Sequence, residues 1–303
     1  MLVLDLRQAK RFSRKKRIRR MRPVKSPAIA EKLLRQKTEQ LWEFAIMPSL
    51  DRIKRAIESG IGGEQLSSLI EAELDQISYV YQTDAGIIID MWRLAVDRIT
   101  RTKMNAALQR SLGVDITAVL DDPIVSEALA VGAMNAENLI VTMPTKLMGE
   151  VAMAVQANMR GVPLPGGRSL LDQIDFLGTR SRAWANVIAR DQTAKLTDTL
   201  NTARQQALGI EEYYWRTMKD VNVVGNPNGS YPDWNPKHMD HYIMEGVLCR
   251  YDDPTVYSTD DGRTWKNRTG AMPKNHPSDD ILCRCYREGK IDLDKILAHA
   301  TVQ

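Results

Sequence analysis

The sequence contains few aromatic residues and no long apolar run. Phe, Trp and Tyr make up 6% of its 303 residues. Together with abundant Ala, Leu and Ile, this favours helices over a large β-sandwich. No stretch of about 18 apolar residues occurs, so we expect no transmembrane helix. The first residues are charged where a signal peptide would be apolar, so no signal peptide is predicted.

Cysteine and histidine are scarce, and nearly all of them lie in one segment. All three cysteines and three of the four histidines fall there: His238, His241, Cys249, His276, Cys283 and Cys285. Three cysteines do not make the disulfide framework of a small secreted protein. A reducing cytoplasm is therefore the expected environment during synthesis.

Four explanations of this cluster stay open. A structural zinc site needs four soft or borderline ligands, and His241, Cys249, Cys283 and Cys285 are the candidate set. A disulfide could join Cys249 to Cys283 or Cys285. Cysteine catalysis would pair Cys283 or Cys285 with His241 or His276, but no glycine of an oxyanion hole follows closely. The preferred interpretation is buried thiols and hydrogen-bonded histidines that close the surrounding loops.

Motifs of several enzyme classes are missing. The segment His238–His241 lacks the glutamate of the His-Glu-x-x-His metalloprotease motif, and neither a Walker A sequence nor Gly-x-Gly-x-x-Gly occurs. We therefore predict no enzymatic activity and no catalytic residues.

Positive charge is concentrated at the N-terminus. Residues 1–25 contain eleven Lys or Arg against one acidic residue, Asp5, whereas the whole chain has a net charge of +4. Such an arm can bind phosphates, dock on an acidic partner or remain a solvated tail. With only Phe12 available for stacking, any contact with nucleic acid would ignore base sequence. The predicted DNA- or portal-binding residues are Arg11, Arg14, Lys15, Lys16, Arg17, Arg19, Arg20 and Arg22.

Proline, glycine and apolar spacing divide the rest of the chain. We predict a basic arm over 1–27, a helical docking region over 28–160, an α+β module over 168–290 and a tail over 291–303. The linker Gly161–Gly167 marks the boundary between the two larger regions. Short strands are predicted around Tyr213–Met218, Ile243–Cys249 and Thr255–Ser258. The fold class is therefore α+β, with a mostly helical N-terminal region followed by a smaller, loop-rich C-terminal module.

An ordered series of residues spans the second half of the chain: Arg190, Trp215, His241, Gly246, Pro273, Cys283 and Cys285. In this order and spacing it resembles the phage Mu F-like minor head proteins, a phage head morphogenesis family, over roughly residues 170–290. The turn before His241, Pro232–His238, departs from the family pattern. Arg190 or its neighbour Asp191 is expected to reach into the loops and hold their carbonyls.

The resemblance implies a minor capsid protein of a tailed phage. Such a protein would lie in the virion, inside the head near the portal vertex, and in the host cytoplasm during assembly. It would bind the portal protein, the major capsid or scaffold protein and packaged double-stranded DNA, without a membrane partner. No cofactor is implied apart from a possible structural zinc.

Two other functions were weighed. The alternative is a zinc-dependent nucleic-acid-processing enzyme with a basic DNA-binding arm. A toxin carrying this module for delivery is disfavoured, because the given sequence leaves no room for an effector domain after Cys285.

Overall fold

The computed structural model describes residues 18–21, 24–112, 122–233, 239–292 and 295. Long helices make up most of the described chain between Ala28 and Ala207. Their bounds are α1 Ala28–Leu41, α2 Met47–Glu58, α3 Gly63–Leu112, α4 Pro123–Val141, α5 Met143–Met159 and α6 Leu170–Ala207. A π-helical turn, Trp42–Ile46, joins α1 to α2.

Short strands lie in the C-terminal part, with one exception at the N-terminus. They are β1 Ile18–Arg20, β2 Glu212–Arg216, β3 Leu248–Arg250, β4 Val256–Tyr257, β5 Lys266–Asn267 and β6 Tyr286–Asp292. A four-stranded antiparallel sheet has the order β1-β6-β2-β3, and β4 and β5 form a separate pair. The α+β fold class predicted from the sequence is confirmed.

Local sequence explains where the helices begin and end. Pro48 lies in the first turn of α2, where the missing N–H of proline costs nothing. Gly60, with φ of 82°, follows the end of that helix. Before α4, Asp122 accepts a hydrogen bond from the backbone N–H of Ile124 at 2.9 Å, as an N-cap residue does. Glycine often interrupts a helix, but Gly86 lies inside the continuous helix α3.

The chain divides into two compact units. Unit 1 comprises Met1–Pro27, Ala95–Gly132 and Thr193–Gln303, and unit 2 comprises Ala28–Leu94 and Ala133–Gln192. The segment Gly161–Gly167, where we placed a domain boundary, lies within unit 2.

Unit 2 is helical, and its core is built from the apolar stripes of its helices. Tyr81 and Trp92 of α3 are fully buried there. An ion pair joins Arg52 Nε to Glu73 Oε1 at 2.5 Å. A Cβ at Gly178 would approach Leu50 to within 2.9 Å, so α6 and α2 pack closely at that glycine.

Unit 1 holds the sheet and a core with several aromatic residues. Its buried residues include Met104, Tyr213, Trp215, Tyr251 and Ile291.

The start of the chain contributes to this core as well. Met21 is 1% exposed and Val24 is 6% exposed, and β1 forms an edge of the sheet next to β6. The end of the predicted basic arm is therefore part of the C-terminal fold.

One stretch has the length and composition of a membrane span, although the sequence contains no uninterrupted apolar run. It covers Pro123–Met159, and 17% of its most apolar window is buried. The stretch consists of α4 and α5, which are separated at Thr142. Length and composition alone are weak evidence for a span, and this finding was not expected from the sequence.

Candidate metal centre

Three elements of unit 1 bring the conspicuous residues together. Trp215 lies in the buried centre of β2. His241 precedes the 3-10 turn Tyr242–Met244, and its backbone N–H donates to Val224 O at 3.1 Å. Cys283 and Cys285 lie directly before β6, after a left-handed residue, Leu282, with φ of 59°.

The imidazole of His241 contacts both thiols through one nitrogen. Its Nδ1 is 3.4 Å from Cys283 Sγ and 3.6 Å from Cys285 Sγ. Its Nε2 is 3.0 Å from Asp280 Oδ2. The Nδ1 and two sulfur atoms form a group of possible metal ligands whose atoms all lie within 4.8 Å of one another.

These contacts change the protonation of the groups involved. Burial alone would lower the pKa of His241, but hydrogen bonds with Asp280 and Cys283 outweigh it and raise that pKa to about 9. The hydrogen bond from Cys285, helped by His241, holds the pKa of the Cys283 thiol well below its usual range. The same hydrogen bond raises the pKa of Cys285. The imidazole of His241 thus favours the thiolate form of Cys283.

Trp215 forms one wall of this site. Its ring meets the His241 ring edge to face, with the centroids 5.5 Å apart. The indole N–H has no acceptor within ordinary hydrogen-bond geometry among the described residues, but it is near enough to Cys285 to favour the thiolate and lower that pKa. The carbonyl of Trp215 accepts from Gly246 N–H at 2.8 Å, and Gly246 has φ of 79°, a conformation that suits glycine.

Arg268 connects the long loop between β5 and β6 to the Trp215 ring. Its guanidinium lies 5.4 Å from the centroid of the Trp215 ring. Its Nη1 donates to Pro273 O at 2.7 Å and to Asn275 O at 2.8 Å. Arg268 therefore holds two carbonyls of this loop, although its place in the sequence did not mark it for this role.

Arg190 and Asp191, which we expected in that role, lie in α6 within unit 2. Arg190 is half-buried and Asp191 is buried.

A second group of buried polar side chains lies in unit 1. Arg287 Nη2 is 3.1 Å from Asp198 Oδ2, and each side chain is less than 10% exposed. Burial raises the pKa of Asp198 to about 7 even with this arginine beside it. Tyr213 Oη is 2.8 Å from His276 Nδ1. Burial, together with Arg287 and Arg268, lowers the pKa of His276 to about 4, so this histidine is neutral.

The fourth predicted metal ligand, Cys249, lies outside the group formed by the other three. Cys249 is fully buried in the core of unit 1, but its sulfur is not part of the ligand group. Burial raises its pKa, and its sulfur donates to Val247 O at 3.7 Å. The structure therefore brings three of the four candidate ligands together and leaves Cys249 outside their group. All three cysteines are free thiols, so the disulfide alternative is not realised.

Much of the predicted binding arm lies outside the described residues. This applies to Arg11, Arg14, Lys15, Lys16, Arg17 and Arg22, and also to His238. Arg19 and Arg20 lie in β1, where Arg20 is exposed and its guanidinium lies 4.4 Å from the centroid of the Tyr214 ring.

The arrangement permits two kinds of chemistry. A thiolate, an imidazole and a carboxylate in a row, here Cys283, His241 and Asp280, are the components of a cysteine nucleophile. Two thiolates and one imidazole nitrogen facing a common point are the components of a zinc site. The second thiol, Cys285, distinguishes them, because a nucleophile has no need of it.

Comparison with known proteins supplies no function. No family model matches the chain, and no solved structure matches it. An uncharacterized protein of Haemophilus influenzae is 26% identical over 295 residues, which cover 92% of this chain and 57% of that protein. The chain thus spans little more than half the length of this relative, and the similarity covers both compact units.

Proposed function

We propose that the chain is a minor head protein of a tailed phage or prophage, which binds the portal and packaged DNA during head assembly, packaging or ejection. One observation carries the proposal: residues of the family-like series that are far apart in sequence form one connected assembly. Trp215 contacts His241, His241 contacts Cys283 and Cys285, and Trp215 O accepts from Gly246. Arg268 joins Pro273 to the Trp215 ring.

The connected series supports a common ancestry of the module because its members serve one structural purpose. An unrelated chain with the same letters in the same order would have no reason to assemble them. Arg190 is the exception, since it belongs to unit 2. The proposed mechanism is binding: the basic arm, of which Ile18–Arg20 form β1, supplies positive charge for phosphates.

DNA binding by the arm is testable without disturbing the fold. β1 and buried Met21 must stay, so the variant neutralises only five residues before β1: Arg11, Arg14, Lys15, Lys16 and Arg17. If these meet five phosphates, wild-type affinity for a random duplex falls roughly 10²–10³-fold between 50 and 200 mM salt. We expect the variant to lose most of its affinity and most of this salt dependence in fluorescence anisotropy.

A matched control removes the same number of charges elsewhere. It neutralises five exposed basic residues: Lys32, Arg35, Lys103, Lys146 and Arg160. Equal loss of DNA binding in both variants would remove the arm from the mechanism. For the portal, the full chain is captured from cells carrying the phage genes. Recovery of a portal oligomer, identified by mass spectrometry, supports the proposal, and its absence contradicts it.

A zinc-dependent nucleic-acid-processing enzyme is the second candidate. It is favoured by the number of ligands, because catalytic zinc sites keep three protein ligands and an exchangeable fourth position. A nuclease assay on duplex and single-stranded DNA decides between the two. Cleavage that is abolished by a chelator and restored by zinc would favour the enzyme over the head protein.

A further inference from the structure

We propose that His241, Cys283 and Cys285 bind one Zn²⁺ ion, with the imidazole coordinating through Nδ1 and both cysteines coordinating as thiolates. This inference does not depend on the proposed function, because it rests on the geometry of the site alone.

The two distances from the imidazole nitrogen to the sulfur atoms are those of a tetrahedral zinc site. With Zn–S near 2.3 Å and Zn–N near 2.05 Å, tetrahedral angles place sulfur and nitrogen about 3.5 Å apart. The two observed separations from Nδ1 are 3.4 and 3.6 Å. A single N–H can point well at only one sulfur atom, whereas a metal ion between the three atoms accounts for both contacts.

The surroundings orient the ligands as zinc sites require. A histidine that binds zinc through one nitrogen usually donates its other N–H to a carboxylate, which fixes the tautomer and the ring. Asp280 accepts at 3.0 Å from Nε2 of His241 and also accepts from Asn275 Nδ2 at 2.8 Å. On the far side, the buried indole N–H of Trp215 lacks a geometric acceptor and lies near Cys285, where a metal-bound thiolate would be its partner.

The position of the site also gives the ion a structural task. His241 ends the loop that follows β2, and the cysteine pair ends the long segment between β5 and β6. Long loops in a compact domain need a feature that holds them. An ion between His241 and the two cysteines joins both loops at the wall formed by Trp215.

The test begins with the full chain, purified without chelator from zinc-supplemented cells. We expect about one zinc per chain by elemental analysis. Replacement by Co²⁺ should produce the intense near-ultraviolet absorption of thiolate-to-cobalt charge transfer. The variants Cys283→Ser and Cys285→Ser should each lose zinc and this absorption. Cys249→Ser is the matched control, because Cys249 is buried like Cys285 but lies outside the ligand group, and this variant should retain both the zinc and the absorption.

A second measurement remains informative if the cysteine variants fail to fold. Asp280→Asn keeps all three ligands and removes only the orienting carboxylate, so zinc affinity, measured by chelator competition, should fall roughly 10–100-fold. Asp280→Glu should restore part of that affinity. Asp279→Asn, which removes the adjacent carboxylate, should leave zinc affinity unchanged.

Three results would overturn the proposal. The first is a wild-type chain that holds no zinc and gives no cobalt-thiolate absorption. The second is zinc loss in Cys249→Ser equal to that in Cys285→Ser. The third is rapid alkylation of Cys283 by iodoacetamide in the protein as purified, which would show a free thiolate such as a nucleophile requires.

Discussion

Gly289 offers a quantitative test of how unit 1 is packed. It lies in β6 opposite Tyr213, and its carbonyl accepts from Met21 N–H at 3.1 Å. A Cβ at this position would meet Gln205 Oε1 at 2.2 Å and Gln205 Cδ at 3.1 Å. Gln205 is fully buried, and its Oε1 accepts from Tyr251 Oη at 2.7 Å. The substitution Gly289→Ala must therefore displace a buried amide that already has a partner.

The cost has two parts. Overpacking a tight site costs about 1–3 kcal/mol, and the unpaired buried Tyr251 hydroxyl costs about 1–3 kcal/mol more. We expect Gly289→Ala to lower the free energy of unfolding of unit 1 by roughly 2–6 kcal/mol. For a chain of this size, the melting temperature should fall by roughly 5–15 °C. Hydrogen exchange should show the loss of protection in β2 and β6.

Two controls distinguish the steric clash with Gln205 from the general effect of replacing a glycine by alanine. Gly149→Ala makes the same change inside α5, where a Cβ would have no neighbour within 4 Å, and should stabilise by roughly 0.5–1 kcal/mol. In a Gln205→Ala background the clash is gone, so Gly289→Ala should cost much less. This account would be refuted if Gly289→Ala melted within about 2 °C of wild type. It would also be refuted if the destabilisations by Gly289→Ala and Gln205→Ala were fully additive in the double variant.

Three other changes test the buried polar groups of the same unit. Because burial raises the folded pKa of Asp198 from 3.8 to about 7, its ionisation costs wild-type stability as pH rises from 4 to 7. Asp198→Asn should remove up to roughly 4 kcal/mol of this dependence in urea titrations, and an unchanged slope would contradict it. His276 has the opposite sign: its folded pKa is lowered from 6.5 to about 4, so stability is lost as pH falls through that range, and His276→Gln should flatten this loss. Arg268→Met should leave the carbonyls of Pro273 and Asn275 without their donor and lower the free energy of unfolding by roughly 2–6 kcal/mol in thermal melts. Arg250→Met, which removes a surface ion pair with Asp252, should cost under about 1 kcal/mol in the same assay.

The helices could be predicted from the sequence because the residues that form and end a helix are close together in the chain. The sequence predicted a helical region over 28–160, and α1 to α5 lie within it. Asp122 and Pro123, which begin α4, are a local signal of the same kind. β1 and β6 were missed, because each depends on pairing with residues far away in the chain. Ile18 pairs with Asp292, and no pattern within three residues can reveal such a partner.

The sequence predicted which types of residue form the candidate site, but it predicted only some of the individual residues. His241, Cys283 and Cys285 could be proposed from their chemistry and spacing. Cys249 has the same chemistry, but β3 directs its sulfur toward Val247 O and the core. Asp280 and Arg268 were missed because an acidic residue or an arginine in a loop has no distinctive spacing. Their roles come from tertiary contacts alone.

The pairing of β1 with β6 has a consequence for synthesis. Ile18 leaves the ribosome before its partner Asp292, which is synthesised more than 270 residues later. At 5–20 residues per second, that delay is about 15–55 s. Throughout this time β1 has no strand to pair with, and Met21 and Val24 have no completed core to enter. β1 can therefore pair only when translation has passed β6, long after the helices of unit 2 have been made.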